Sequence, residues 1–222
     1  MEAQAVKLSE ILNTDRMTIS CELFPPKEGS GLGGAHDVVR RMAELRPAYM
    51  SITYGAGGGT STMTVDMANE IQNVNGVPVL AHLTCASSTR EQVESVLDQL
   101  RERKIENILA LRGDIPQDAD FPLPNQYRHA SELMREISAS GDFCIGGACY
   151  PEGHPESAAV ADDIENLKYK VDAGCSFLTT QMFFDNNIMY NYLYKLLKAG
   201  IRVPVVAGIM LSSIARPTIS PL

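Results

Sequence analysis

The sequence contains no paired cysteine motif, no long apolar run and no excess of basic residues. Its five cysteines are odd in number and none belongs to a CxxC pair, which is typical of reduced, buried thiols in a cytoplasmic protein. No window approaches the ~18 uninterrupted apolar residues of a membrane span. A formal net charge of −8 disfavours nucleic acid as a partner, because neutralising phosphates requires a basic face. The first residues also lack the basic start and apolar core of a signal peptide.

What the sequence does contain is a regular alternation of short apolar runs and longer amphipathic stretches. With 222 residues, 45% of them hydrophobic and 21% charged, it can build a globular α/β domain with a substantial core. The predicted strands are Met17–Phe24, Tyr49–Tyr54, Val77–Thr84, Ile108–Leu111, Phe143–Tyr150, Phe177–Phe184 and Val203–Met210. The predicted helices between them are Ala35–Leu45, Thr64–Asn73, Glu91–Arg103, Ser131–Ser138, Ala161–Ala173 and Asn187–Ala199. A short amphipathic helix is also predicted near the N-terminus.

This alternation predicts a parallel sheet covered by helices, either a doubly wound open sheet or a (β/α)8 barrel. Polar residues follow nearly every predicted strand rather than a single switch point, which favours the barrel. Seven strands and six intervening helices are found, and residues 211–222 do not continue the pattern. The prediction is therefore a single domain over residues 1–222, folded as an incomplete (β/α)8 TIM barrel without the last helix, strand and helix.

Two strand ends carry the acidic residues of most interest. The fourth strand runs directly into Arg112, Gly113 and Asp114, where the glycine permits a close approach of a ligand to the backbone. Strand alternation places Glu22 of the first strand on the barrel interior. Burial of an acid there would raise its pKa towards that of a general acid, although a salt bridge to Arg112 or a lysine is an alternative.

Two glycine-rich segments and one histidine are candidate ligand sites. Residues 29–34 satisfy GxGxxG, but four residues separate them from the preceding strand, so a loop is predicted rather than a dinucleotide fingerprint. Residues 55–59 lack the GK[ST] of a P-loop, yet they could let a flat or extended ligand lie against the backbone. His82, on the third strand, is either a core residue or a site residue. No other metal-ligating residue stands at ligand spacing from it, so no metal site is predicted.

Three further features lie in the second half of the chain. The loop from Tyr150 to Glu156 presents an aromatic ring and the His154 imidazole. On the following helix, the polar residues at 163, 166 and 170 share one face at i, i+3 and i+7. This face is either solvated or part of a site. Gln181, on the sixth strand, has an amide suited to the edge of a heterocycle.

Taken in order, the motifs CELFPP, SITYGAGGG, HLTC, LALRGD, YPEGHPE, NLKYKVDAG and TTQMFFD resemble the methylenetetrahydrofolate reductase family. The resemblance covers about Ser20 to Met210. It implies a (β/α)8 barrel that binds FAD non-covalently at the carboxyl ends of its strands. It also implies ping-pong reduction of 5,10-methylenetetrahydrofolate to 5-methyltetrahydrofolate by NADH or NADPH, a step of one-carbon metabolism that supplies methionine. The implied partners are small molecules, without nucleic acid or membrane, and assembly into a homo-oligomer stays open.

The resemblance also implies roles for individual residues. Glu22 would be the catalytic acid that protonates the folate, and Asp114 would contact both flavin and pterin. Thr53 and Gln181 match positions that handle the nicotinamide donor, and Gln181 would also bind folate. The flavin-contacting set would include Thr53, Tyr54, Ala56, His82, Arg112, Gly113, Asp114, Ala130, Tyr150, His154, Asp163, Asn166 and Lys170.

Two features depart from the family pattern, and two rival functions remain. Tyr169 stands where some bacterial relatives carry a basic residue near the cofactor, and the pattern is lost from Leu211 onward. One rival is a truncated, catalytically impaired fragment that serves at most as a flavin-binding or partner-binding remnant. The other is an unrelated barrel enzyme, such as an aldolase using Lys170 as a Schiff base, which the position of Lys170 within a helix disfavours.

Overall fold

The computed structural model describes residues 6–26, 33–54, 61–86, 88–115, 121–157 and 160–210. Within them, seven parallel strands form one curled sheet in the order β1-β2-β3-β4-β5-β6-β7, with each strand paired to its neighbours in sequence. This is the architecture of an incomplete (β/α)8 barrel, and it confirms the predicted fold class. Residues 29–32 of the predicted glycine-rich loop 29–34, the glycine-rich segment 55–59 and the divergent residues 211–222 lie outside the described residues. Gly33 and Gly34 begin a helix, so the loop prediction is wrong for these two residues.

All seven strands were predicted from their apolar runs. Their observed bounds are β1 Ser20–Leu23, β2 Tyr49–Ile52, β3 Val79–Thr84, β4 Asn107–Leu111, β5 Cys144–Cys149, β6 Cys175–Thr180 and β7 Val205–Val206. Several strands are shorter than predicted, and the largest difference is at β7. There Pro204, which has no backbone N–H to donate, precedes the strand, and residues 207–210 do not continue the pairing beyond Val206.

Six helices lie between the strands, as predicted, and one short helix precedes them. Their bounds are α1 Leu8–Leu12, α2 Gly33–Glu44, α3 Ser61–Asn69, α4 Arg90–Glu102, α5 Ala130–Ser140, α6 Val160–Asp172 and α7 Asn186–Lys198. A π-helical turn, Glu70–Val74, continues α3. Thr89 begins α4 with a capping box shared with Gln92. No helix among these described segments is long and apolar enough to cross a membrane.

The two faces of the sheet bury different sets of residues, because side chains alternate along each strand. The outward residues, such as Met50, Leu83 and Ile108, pack with the helices in the main hydrophobic core. Near the amino ends of the strands, the inward residues form a second apolar cluster, which we call the floor. It contains Leu8, Tyr49, Leu80, Leu109, Cys144 and Phe177.

Helix α1 closes the floor from below. Leu8 is fully buried within the cluster, and its backbone N–H donates to Oδ1 of Asn107 over 2.8 Å. The side-chain nitrogen of Asn107 donates to the carbonyl of Val6 at 3.0 Å and to that of Val79 at 3.1 Å. A single buried amide thus fastens the N-terminal segment to two strands of the sheet.

Candidate active site

The carboxyl ends of the strands gather most of the predicted site residues at one end of the barrel, which we call the mouth. Glu22 lies on β1, and Thr53 follows β2, where its backbone N–H donates to the Leu23 carbonyl at 3.0 Å. His82 lies on β3, and Arg112, Gly113 and Asp114 follow β4. Because the strands are parallel and adjacent, these groups share one edge of the sheet.

Glu22 points into the barrel, as strand alternation predicted. Its neighbours Cys21 and Leu23 pack outward against the main core. The Glu22 side chain is 49% exposed, yet burial of its carboxyl raises the pKa, and a hydrogen bond with the side chain of Ser51 partly opposes that rise. Ser51 lies opposite Glu22 in the β1–β2 register, and sequence analysis did not single it out.

His82 lies close to this acid. Its side chain is 7% exposed, and its Nε2 is 3.7 Å from Oε2 of Glu22. Burial lowers the pKa of His82 to about 4, so its imidazole is uncharged at neutral pH. Side chains from alternate strands of such a barrel occupy the same interior layer, which explains why β1 and β3 bring these two groups together across β2.

The end of β4 is tied to two neighbouring elements. Gly113 has φ +82°, and a Cβ at this position would lie 3.0 Å from Cβ of Thr84, so a side chain would be strained and crowded. Arg112 makes a bidentate ion pair with Glu156, at 2.6 and 2.7 Å, rather than with Glu22. The alternative of a Glu22–Arg112 salt bridge is therefore wrong. Asp114 is exposed at the mouth.

The loop after β5 is braced against α6. The rings of Tyr150 and His154 meet edge to face with centroids 4.5 Å apart. The His154 backbone N–H donates to Oδ2 of Asp163 at 3.3 Å, and the Glu156 N–H donates to Nδ1 of His154 at 3.1 Å. Glu156 was part of a predicted motif, but its pairing with Arg112 was not foreseen.

The polar stripe on α6 is only partly solvated. Asp163 is buried, and Nζ of Lys170 donates to the Ala148 carbonyl at 2.7 Å, while Asn166 is exposed. Burial lowers the pKa of Lys170. The interpretation of the whole stripe as a solvated face is therefore wrong for its first and last members, whereas it describes Asn166.

The remaining predicted site residues lie around the same end of the barrel. Gln181 directly follows β6 and is exposed, and its backbone N–H donates to the Cys149 carbonyl at 2.7 Å. Tyr54 is half-buried beyond β2, and Ala130 is the buried first residue of α5. A pocket between the ends of β5 and β6 is lined by Tyr150, Pro151, Glu152, Gly153, Pro155, Gln181 and Met182. Ala56 lies outside the described residues.

Sequence comparison identifies the family to which this barrel belongs. The sequence model for methylenetetrahydrofolate reductase matches residues 7–216, which is most of the chain. The chain belongs to the methylenetetrahydrofolate reductase family. A relative from Schizosaccharomyces pombe, methylenetetrahydrofolate reductase 1, is 38% identical over 88% of this chain and 33% of its own length. A relative from Salmonella typhimurium, 5,10-methylenetetrahydrofolate reductase, is 32% identical over 94% of this chain and 69% of its own length.

The chain thus spans about a third of the length of its fungal and plant relatives. Solved structures share its fold at low sequence identity. Oxaloacetate acetylhydrolase superposes with a TM-score of 0.61 at 14% identity, over 90% of this chain and 78% of the other. A protein from Clostridium thermocellum that binds two copies of 5-methyl-5,6,7,8-tetrahydrofolic acid gives a TM-score of 0.59 at 12% identity, over 91% and 69%. At such identities these structures support the fold alone.

Proposed function

We propose that this chain carries out the reduction of 5,10-methylenetetrahydrofolate to 5-methyltetrahydrofolate with FAD and with NADH or NADPH as the donor. Family membership supports the reaction class. The single observation that carries the proposal is Glu22, an acid that points into the mouth and whose pKa is raised by burial. A carboxyl with a raised pKa can still hold a proton to donate at a pH where an ordinary glutamate is ionised.

The residues at the mouth fit a non-covalently bound FAD. Tyr150 and His154 supply flat aromatic surface, and Gly113, where a Cβ would crowd Thr84, lets a ligand approach the backbone closely. A bound flavin would take a hydride from the nicotinamide and deliver it to the folate. We propose that the contacting residues are Thr53, Tyr54, Ala56, His82, Arg112, Gly113, Asp114, Ala130, Tyr150, His154, Asp163, Asn166 and Lys170.

The chain's own residues would then donate the proton and orient the substrate. Glu22 protonates the folate nitrogen that leaves when the five-membered ring opens, and the product of that step is an iminium ready to accept the hydride. Gln181 and Asp114 orient the folate by hydrogen bonds, and Gln181 also contacts the nicotinamide when that substrate occupies the site. One proton and one hydride together convert the methylene group to a methyl group.

The experiment that tests this proposal separates the two half-reactions. The purified chain is loaded with FAD, reduced anaerobically with NADH or NADPH, and then mixed with methylenetetrahydrofolate while the flavin absorbance is followed. Glu22→Gln should still bind and reduce flavin, but reoxidation by folate should slow by about 10²–10⁴-fold, the usual contribution of a general acid. Glu94→Gln, an exposed carboxyl on α4, is the matched control. Reoxidation of the Glu22→Gln protein at the parent rate would contradict the assignment.

A second candidate function is a remnant that binds flavin or a partner without turning over folate. One observation favours it: β1 and β7 are the two edges of the sheet, so Glu22 lies on an edge strand. The apolar side chains of Met17, Ile19 and Phe24 around β1 are largely exposed. In the half-reaction experiment, this candidate predicts a flavin that NAD(P)H reduces and that methylenetetrahydrofolate fails to reoxidise.

The cellular setting is also a proposal. Four of the five cysteines are buried and all five are unpaired, which supports a reducing, cytoplasmic location. The exposed apolar side chains near the sheet edges support self-association into a homo-oligomer, which sedimentation of the purified chain would test.

A further inference from the structure

Four buried side-chain polar atoms in the described part of the chain have no hydrogen-bond partner, and one of them, on His82, lies near the mouth. Nε2 of His82 is shielded from solvent and makes no hydrogen bond. Buried side-chain nitrogen and oxygen atoms almost always have a partner, and an exception calls for a specific reason. The rest of the ring lies on the inner face of β3, opposite the apolar Leu109 of β4 in the strand register.

A hydrogen-bond acceptor, the Glu22 carboxyl, lies close to this nitrogen. The separation of 3.7 Å between Nε2 and Oε2 is too long for a hydrogen bond, but a small rotation of the half-exposed Glu22 side chain would close it. The hydroxyl of Ser51 bonds to the same carboxyl from β2. Three adjacent strands thus each direct one polar group to a single point.

We propose that His82 is a positioning residue for Glu22: its imidazole, with the proton on Nε2, donates a hydrogen bond to the Glu22 carboxyl. This bond holds the acid against the inner face of β1, β2 and β3. It also stabilises the carboxylate that remains after the proton has moved to the substrate nitrogen, until solvent returns a proton. The proposed hydrogen bond rests on the placement of the unpartnered Nε2 beside the Glu22 carboxyl, whereas its catalytic consequence rests on the proposed function.

The charge state of His82 suits this role. Because burial lowers its pKa to about 4, the ring stays neutral near pH 7 and cannot take the proton that Glu22 needs. An ionised carboxyl can only accept hydrogen bonds, so the tautomer that satisfies both groups carries its proton on Nε2. A cationic partner would instead favour the ionised acid strongly and remove its ability to donate.

The other groups that face this pair do not compete with His82. Tyr49 of β2 interacts with Glu22, but burial raises the pKa of its phenol, so it stays neutral. Beyond the end of β4, the Arg112 guanidinium is committed to Glu156. Ser51 thus bonds to the Glu22 carboxyl, and His82 is the described basic side chain that lies within 4 Å of it.

The decisive measurement is the titration of Glu22 itself, followed by ¹³C NMR of side-chain carboxyls in the full chain and assigned with Glu22→Gln. Loss of the donor in His82→Leu should raise the Glu22 pKa by about half a unit or more. His82→Gln retains a neutral N–H donor and should stay closer to the parent value. His36→Leu, which removes an exposed histidine 3.5 Å from Glu70, should leave the Glu22 titration unchanged. Equal titrations in the parent and His82→Leu, or equal shifts in the two His82 variants, would overturn the proposal.

A second measurement needs no substitution at His82. The ¹⁵N shifts of its ring nitrogens report the tautomer directly, and we expect a proton on Nε2 whose shift follows the titration of Glu22. A ring protonated on Nδ1 at neutral pH would overturn the proposal even if the His82 variants failed to fold.

The catalytic consequence has its own readout in the flavin-loaded chain. A higher Glu22 pKa should move the alkaline limb of the folate half-reaction to higher pH in His82→Leu. A purely structural role for His82 would lower the rate at every pH without moving the limb, which would contradict the positioning role. If the chain fails to reduce folate at all, the proposed function fails while the two NMR measurements still decide the hydrogen bond.

Discussion

The floor and the mouth of this barrel are built from the same strands but differ in nearly every physical respect. At the floor, the inward side chains are apolar and buried except for the amide of Asn107, and α1 packs against them from below. At the mouth, positions further along the same strands carry polar groups: a carboxyl on β1, a hydroxyl on β2 and an imidazole on β3, with a guanidinium directly after β4. The comparison shows that the floor supplies stability while the mouth accepts partly satisfied polar groups. Substitutions at the two ends should therefore affect different measurements.

The largest effect on stability is expected from Phe177→Ala. The ring of Phe177 is fully buried at the floor and lies directly over Gly146, where a Cβ would approach one ring carbon to 2.6 Å. Removing the ring leaves a cavity, and the free energy of unfolding should fall by about 3–5 kcal/mol. Urea denaturation followed by circular dichroism measures this. The matched control is Phe184→Ala, at a ring that is 82% exposed, which should change stability by less than about 0.5 kcal/mol.

A smaller loss is expected from Asn107→Ala. This substitution removes one acceptor and two donor contacts and leaves the buried Leu8 N–H without a partner, so we expect a loss of about 1–3 kcal/mol. Hydrogen exchange at the Leu8 amide should accelerate more than exchange in β3 or β4. Asn107→Asp keeps the acceptor for Leu8 and should lose less protection there. Unchanged exchange at Leu8 in the alanine variant would show that α1 is held by packing alone.

Local strand alternation predicts some contacts at the mouth and misses others. The strand pattern predicted the inward direction of Glu22, because alternation within one strand is a local property. It could not predict the approach of His82, which depends on the stagger between β1 and β3 across an intervening strand. Ser51 had a readable signal, since it occupies an inward position beside Glu22 in the register.

Loops and helix contacts were harder to predict for a related reason. The sequence leaves open a salt bridge between Arg112 and Glu22, but the loop after β5 brings Glu156 to Arg112 from 44 residues away. The contact between Asn107 and α1 spans 99 residues, and the first residue of a strand carries no sign of a distant partner. Periodicity reports local geometry, whereas such pairings depend on how the whole sheet curls and where its loops lead.

Burial of His82 at the mouth should make the free energy of unfolding depend on pH, an effect that the apolar floor does not contribute. Unfolded His82 gains a proton near its ordinary pKa of 6.5, whereas the folded residue does so only near about 4. Between these values the unfolded state binds more protons, so stability falls as pH falls, and above 6.5 the effect vanishes. From pH 7 to pH 5 this residue alone should lower the free energy of unfolding by about 2 kcal/mol.

His82→Gln should remove the histidine contribution to this pH dependence. The free energy of unfolding of the variant should therefore fall less steeply than that of the parent between pH 7 and pH 5. Glu22 acts in the opposite direction, because its folded pKa is raised and it gains protons more readily in the folded state. Comparing the slopes of the two proteins in urea titrations at pH 7, 6 and 5 isolates the histidine contribution. Parallel slopes would show that His82 does not resist protonation in the folded state.

The smallest effect on stability is expected from Asp114→Asn, although this residue follows the same strand whose first residue is Asn107. Asp114 is exposed at the mouth, so its free energy of unfolding should change by less than about 0.5 kcal/mol. If Asp114 lies beside the bound flavin, loss of its negative charge should raise the flavin reduction potential and slow the folate half-reaction by roughly tenfold, equivalent to about 1.4 kcal/mol. Anaerobic potentiometry and rapid mixing measure the two quantities on one preparation. An unchanged potential together with an unchanged folate rate would remove Asp114 from the proposed site.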